Sequence, residues 1–239
     1  MTSSSASARR ARALLGTYVE ISASGLDLAG LHDAIDRAFA AVETVHRLMS
    51  FQESDSELSR LNRQGPAAAL ALHPWTRLVL DTAAELHQRS RGAFDVAVGL
   101  GGSIDLSGIA KGFAVDRAVD VLCAAGVREG AVNAGGDLSV FGKNTHRVGV
   151  RDPGDPARLA AVVTLRNEAL ASSGRAIDPR SRRLVATVVG ATVRAPSCMI
   201  ADALTKVVGV MAEAATPLLH HYEASATLFR SGSVVRLAA

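Results

Sequence analysis

An α+β fold is predicted by three features of the chain. Its β-type segments follow one another in the second half, where a doubly wound parallel fold would alternate them with helices. Apolar residues make up 48% of the chain and aromatics only 4%, which is enough for a packed core that must be mostly aliphatic. Neither an internal repeat nor a linker interrupts the 239 residues, so they read as one domain over 1–239.

Each element has its own signal. Residues 14–23 (LLGTYVEISA) read as a first strand. Leu31, Ile35, Ala38, Phe39, Val42, Val45 and Met49 then recur at the period of an amphipathic helix. The polar stretch SFQESDSELSRLNR reads as a loop with one helical turn. Pro74 suits the first turn of a helix that carries Leu78, Val79 and Leu86 and ends near Ser90. GAFDVAVG reads as a short strand or turn before the glycine-rich 99–102. Over 111–125 a helix places Val115, Ala118, Val119 and Leu122 on one face, and Gly126 is a good stop. AVNAGGDLSVFG is strand-like around a Gly135-Gly136 turn, and short β segments follow at 147–151, 159–165, 169–172 and 184–193. Pro196-Ser197 opens a helix, Thr216-Pro217 a last short one, and 227–230 and 234–237 form a hairpin.

Charge and composition exclude several classes of function. The net charge is +3, without the dense basic stripe of a nucleic-acid binder, and few rings are available to stack bases. No apolar run reaches the length of a membrane span. With no signal-type stretch and no cysteine near Met1, a cytoplasmic location is expected. Cys123 and Cys198 lie in apolar segments and read as buried thiols. The histidines sit in no nucleophilic motif and read as exposed.

Three segments carry candidate chemistry. The glycines at 99–102 fail the dinucleotide spacing, since Ile104 stands where the third glycine belongs. In DLSGIAKGFAVD, Gly108 and Gly112 flank Lys111 at the mouth of a helix. Small residues there permit close backbone approach, and a helix start with a lysine suits an anion. Asp202 and Lys206 share one face of an otherwise apolar helix, which points to a buried or cleft-lining pair.

Taken together, GTYVEIS, MSFQESDSELSRLN, GAFDVAVG, DLSGIAKGFAVD, VNAGGDLSVFG, VGVRDP, ASSG, IDPRS and APSCMIADALTK resemble the FAD:protein FMN transferases of the ApbE family. The resemblance implies mostly antiparallel sheets flanked by helices, with a flavin cleft between two intimate subdomains. It implies cleavage of FAD with Mg²⁺ and transfer of FMN to a Ser or Thr hydroxyl of a target protein. Two alternatives are a flavin-binding protein with little or no transferase activity and a metal-dependent FAD pyrophosphatase. By resemblance Gln52, Ala93, Phe94, Asp95, Asp105 and Lys111 contact FAD, while Asp202 and the Gly108 carbonyl hold the metal. The chain departs from the family at two catalytic positions: Lys206 replaces a frequent Thr, and Arg175 stands where an HxxDP element often has His. A lysine ammonium cannot ligate a metal, so Mg²⁺ is expected to bind weakly or not at all. Arginine can hold a phosphate but accepts no proton at neutral pH. The chain is also short between Leu100 and Ile104 and between Gly174 and Ile177, where the family has longer loops. Replacing Lys111 by Ala is expected to weaken FAD binding at nearly unchanged stability.

Overall fold

The computed structural model describes residues 6–65 and 72–238. Alternation of side chains along extended segments builds one large antiparallel sheet. Its strands are β1 (Ser7–Leu14), β2 (Thr17–Ser24), β3 (Glu129–Ala134), β4 (Asp137–Phe141), β7 (Glu168–Ser173), β10 (Gly190–Ala195), β11 (Ser225–Arg230) and β12 (Ser233–Leu237), hydrogen-bonded in that order. β5 (His146–Asp152) pairs with β6 (Asp155–Leu165), and the short β8 (Ile177–Asp178) with β9 (Arg183–Leu184).

β7 shows how the layers arise. Ala169 and Ala171 face the main core with the helices, while Leu170 between them joins Leu138, Val140, Val150, Leu165 and Phe229. The sheet therefore lies between a helical layer and the β5–β6 ribbon. The helices are α1 (Leu28–Met49), α2 (Glu57–Gln64), α3 (Pro74–Arg89), α4 (Ala110–Ala124), α5 (Cys198–Met211) and α6 (Thr216–His221). Their starts follow ordinary capping: Asp27, Ser56 and Ser197 accept backbone N–H bonds at α1, α2 and α5. α3 begins on Pro74, with His73 Nδ1 accepting the Trp75 N–H at 3.1 Å, so this histidine has a structural role. Among the described residues, no helix is long and apolar enough to cross a membrane.

The α+β class and antiparallel pairing are as predicted. Four local readings are corrected. The stretch 14–23 holds the end of one strand and the body of the next, because Leu15 and Gly16 adopt φ of 55° and 70° and reverse the chain. SELSRLNR is not one turn but α2. The predicted strand 184–193 is broken, and only Gly190–Ala195 enters the main sheet. Cys198 is buried as expected, but Cys123 is exposed, on the outer side of α4 near its end.

Candidate functional site

The sequence DLSGIAKG brings α4 up against α5, and glycine makes the approach possible. A Cβ on Gly112 would stand 2.6 Å from the Cys198 carbonyl carbon, so no side chain fits there. At this contact the helices exchange carboxylates. Asp116 of α4 accepts the Cys198 and Met199 N–H groups of α5 at 2.8 and 2.9 Å. Asp202 of α5 accepts the Gly112 N–H of α4 at 3.2 Å. All three bonds satisfy donors that a helix start leaves unpaired.

Beside this contact lies a cluster of two lysines and two aspartates. The NAGGD turn places Asp137 at the head of β4. Gly135 and Gly136 take φ of 62° and 106°, and the Asn133 side chain accepts the Gly136 N–H at 2.9 Å. Asp137 is 1% exposed, is bonded by Lys111 Nζ, and accepts the Ser172 N–H at 3.4 Å. Lys206 Nζ stands 3.6 Å from Asp202 Oδ1 and donates to Ser173 Oγ at 3.1 Å and Thr205 Oγ1 at 3.3 Å. Its stem lies over Gly108, with Cγ and Cε each 3.5 Å from where a glycine Cβ would be.

The electrostatics follow from burial and proximity. Burial, then the charge of Asp202, pushes the Asp137 carboxyl up to about 6, against the pull of Lys111 and Lys206. Burial alone would lower the Lys111 pKa, but Asp137 and then Asp202 outweigh it and hold it above the usual value. At neutral pH this makes a carboxylate and an ammonium in direct contact. Asp116 is pushed to about 6 by burial, against its two backbone bonds.

Lys111 also lines a cavity of about 1060 Å³. The β1–β2 turn (Leu14 to Tyr18) and the end of α1 with the following turn (Val45 to Glu53) form its other walls. Of the residues that the resemblance assigned to FAD, Gln52 and Lys111 line this cavity. Ala93 and Phe94 are buried, with the Phe94 N–H bonded to Ser90 Oγ at 2.9 Å and its ring 3.8 Å from where a Gly108 Cβ would be. Asp95 and Asp105 each bend their own loop, accepting the Ala97 and Ser107 N–H groups at 2.8 Å. Gly108, Asp202 and Lys206 meet in the cluster, while Arg175 is exposed just before β8. The sequence reading passed over Asp137, Ser173 and Asp116. The NAGGD motif held the signal for Asp137, whereas Ser173 and Asp116 show a role only once their partners are placed.

The donor set does not fit a divalent cation. Mg²⁺ needs about six oxygens in octahedral array. Here Asp202 Oδ2 faces a backbone N–H, Asp137 is engaged by Lys111, and the free side of Asp202 Oδ1 faces an ammonium. Among the described residues no group of three or more His, Cys, Asp or Glu could hold a metal ion.

Comparisons with known proteins agree with one another. The model described as the ApbE family matches residues 15–102 and 101–229. A FAD:protein FMN transferase of Rhodobacter capsulatus is 34% identical over 127 residues, 46% of this chain and 24% of its own length. Its counterpart in Vibrio cholerae serotype O1 is 27% identical over 249 aligned positions, 77% of this chain and 74% of that protein. That of Treponema pallidum is 23% identical over 230, covering 69% and 64%. The chain thus spans less than two thirds of the Rhodobacter and Treponema proteins. Among solved structures, the ApbE protein of Thermotoga maritima gives a TM-score of 0.86 at 20% identity over 97% of both chains. The flavin transferase ApbE of Vibrio cholerae gives 0.83 at 24%, over 98% and 97%. At these identities the structural matches establish a shared fold.

Proposed function

The chain belongs to the ApbE family, and from that premise we propose that it binds FAD, cleaves its pyrophosphate and passes the FMN half to a Ser or Thr hydroxyl of a target protein. The observation that carries this reading is Lys111. It stands at the start of α4, in the wall of a cavity large enough for a flavin, and is held in place by buried Asp137.

The residues divide the work by chemistry. Leu14, Leu15, Tyr18, Met49 and Phe51 offer apolar and aromatic surface to the ring system. Lys111 and Lys206 sit where a pyrophosphate reaching the α4 start would need charge neutralised. In the transfer, the acceptor hydroxyl oxygen bonds to the FMN phosphorus. The bond from that phosphorus to the bridging oxygen breaks, AMP leaves with that oxygen, and the hydroxyl proton is released. The two ammonium groups lower the barrier by stabilising the charge that develops on the phosphoryl oxygens. Arg175, exposed just before β8, carries a guanidinium that suits a phosphate but accepts no proton. Mg²⁺ would supply the same charge neutralisation in the Gly108–Asp202 site that the resemblance implies. The residues present do not fit it, so no step here depends on it.

A second reading, flavin binding without transfer, is favoured by one observation: Arg175 offers no proton acceptor. Incubation with FAD and a Thr-containing acceptor domain, followed by intact-mass measurement, separates the two. Addition of one FMN to the acceptor is the expected result. FAD binding without any adduct would leave the second reading, and release of free FMN and AMP would indicate a pyrophosphatase.

A further inference from the structure

We propose that the Lys206 ammonium is a built-in replacement for the divalent cation, so that this chain grips the FAD pyrophosphate with two lysines and no metal. The proposal deepens the FAD-binding reading and rests on it for the ligand, though not for the character of the site.

The coordination around Lys206 Nζ carries the inference. Asp202 Oδ1, Ser173 Oγ and Thr205 Oγ1 surround it at 3.6, 3.1 and 3.3 Å, from α5 and the end of β7. Hard oxygens from separate elements converging on one point are what a small cation requires, and here the cation is a side chain. Its charge is balanced. Asp202 is 2% exposed and would be an uncompensated buried charge without a cation beside it. Lys111 cannot serve as that cation, because it already engages Asp137. With two carboxylates and two ammonium groups the cluster is neutral. A dication entering it would have to expel Lys206 from its three oxygens and stand near Lys111 as well.

Lys206 is also placed to act on a ligand. Its side chain is 36% exposed while that of Asp202 is 3% exposed, so the ammonium lies between the buried carboxylate and the open side. The stem reaches that place by lying along Gly108, in the same loop that leads into Lys111. One ammonium at each end of this short glycine loop presents two donors to the two phosphates of a dinucleotide. The second reaches that place without a metal's need for six ligands.

The test uses Mn²⁺ as a spectroscopic probe and FAD as the ligand, with wild-type protein, Lys206→Thr and Lys206→Met, each checked for folding by thermal melt. Wild-type protein is expected to show no Mn²⁺ site by electron paramagnetic resonance below millimolar concentration, and Lys206→Thr to gain one at least tenfold tighter. Wild-type affinity for FAD should agree within about twofold in EDTA and in Mg²⁺. Lys206→Met should lose at least tenfold in FAD affinity under both conditions, and Lys206→Thr should lose as much in EDTA but recover with Mg²⁺. The proposal is overturned by a wild-type Mn²⁺ site that Mg²⁺ displaces, or by a tenfold drop of wild-type FAD affinity in EDTA. A folded Lys206→Thr without a Mn²⁺ site, or a Lys206→Met that binds FAD normally, also overturns it. If wild-type protein binds no FAD at all, the functional reading fails, and the Mn²⁺ titrations still decide whether Lys206 occupies a cation site. Should the variants not fold, the two wild-type measurements decide alone.

Discussion

Asp116 reaches from α4 to the start of α5, and Asp202 reaches from α5 to the start of α4. Both carboxylates lie in the same helix–helix contact, Asp202 buried and Asp116 partly so, and both tie down N–H groups that a helix start leaves unpaired. They differ in what remains. Asp116 gives one oxygen to Cys198 and the other to Met199, so nothing is left to face a ligand. Asp202 gives one oxygen to Gly112 and turns the other to Lys206. Two aspartates with the same local duty are thus separated into a structural tie and a site residue by the one oxygen that faces an ammonium instead of a backbone N–H.

The comparison breaks most completely if the helices are pushed apart. Gly112→Ala puts a methyl into the Cys198 backbone, where neither partner can yield, and should cost about 3 kcal/mol or more. Loss of soluble folded protein, or a steep fall in melting temperature, is the expected result.

Lys111→Ala comes next. The sequence reading expected stability to be nearly unchanged, but Asp137 is buried with Lys111 as its partner. Leaving that carboxylate unpaired should cost about 3–5 kcal/mol. FAD affinity should fall about 10- to 150-fold. Adding Asp137→Asn should restore much of the stability without restoring FAD affinity, which denaturant melts and flavin titration can resolve.

Asp116→Asn sharpens the contrast. An amide can accept from one of the two α5 N–H groups but points its own N–H₂ at the other, at a cost of about 2 kcal/mol near pH 4. The cost should depend on pH. Asp116 has its folded-state pKa raised from 3.8 to about 6, so its contribution is full below about pH 4 and declines as pH rises through about 6. The decline should be on the order of 3 kcal/mol, and the gap between wild type and variant should close between pH 4 and 7. A gap that widens with rising pH would contradict the assignment. FAD affinity should not change at any pH.

The smallest effect on stability belongs to Asp202→Asn. The amide oxygen can still accept the Gly112 N–H, and the lost ion pair with half-exposed Lys206 is worth under about 1 kcal/mol. FAD should bind at least as tightly, because a negative neighbour of Lys206 is gone. A large loss of FAD affinity would instead place a metal on Asp202.

What the chain reveals by itself depends on how far apart the partners lie. Helix starts were legible where a local cap or glycine announces them, as at Ser197 and in GIAKG. β1 was not, because its inward positions include Arg10 and Arg12, which look like surface residues in the sequence. In the fold they bond Asp36 of α1, and the Arg12 guanidinium lies 4.6 Å from the Phe39 ring centroid. The strand is made by partners on a helix, not by apolar alternation. Lys111, Asp202 and Lys206 could be singled out from their neighbours. The bond from Asp116 to Cys198 spans most of α4, four strands of the main sheet and two separate strand pairs, and no local pattern points to it.

The order of strands also sets a timetable. Val19 pairs with Ala134 and Ser24 with Glu129, so the inner edge of the first hairpin stays open until β3 has been made. At synthesis rates of roughly 5–20 residues per second, that wait is on the order of ten seconds. During it α1 exists with an apolar face meant for α4, a helix not yet translated. The first half of this chain is therefore not a folding unit in its own right. Its sheet and its helical layer are completed only when the middle of the sheet arrives.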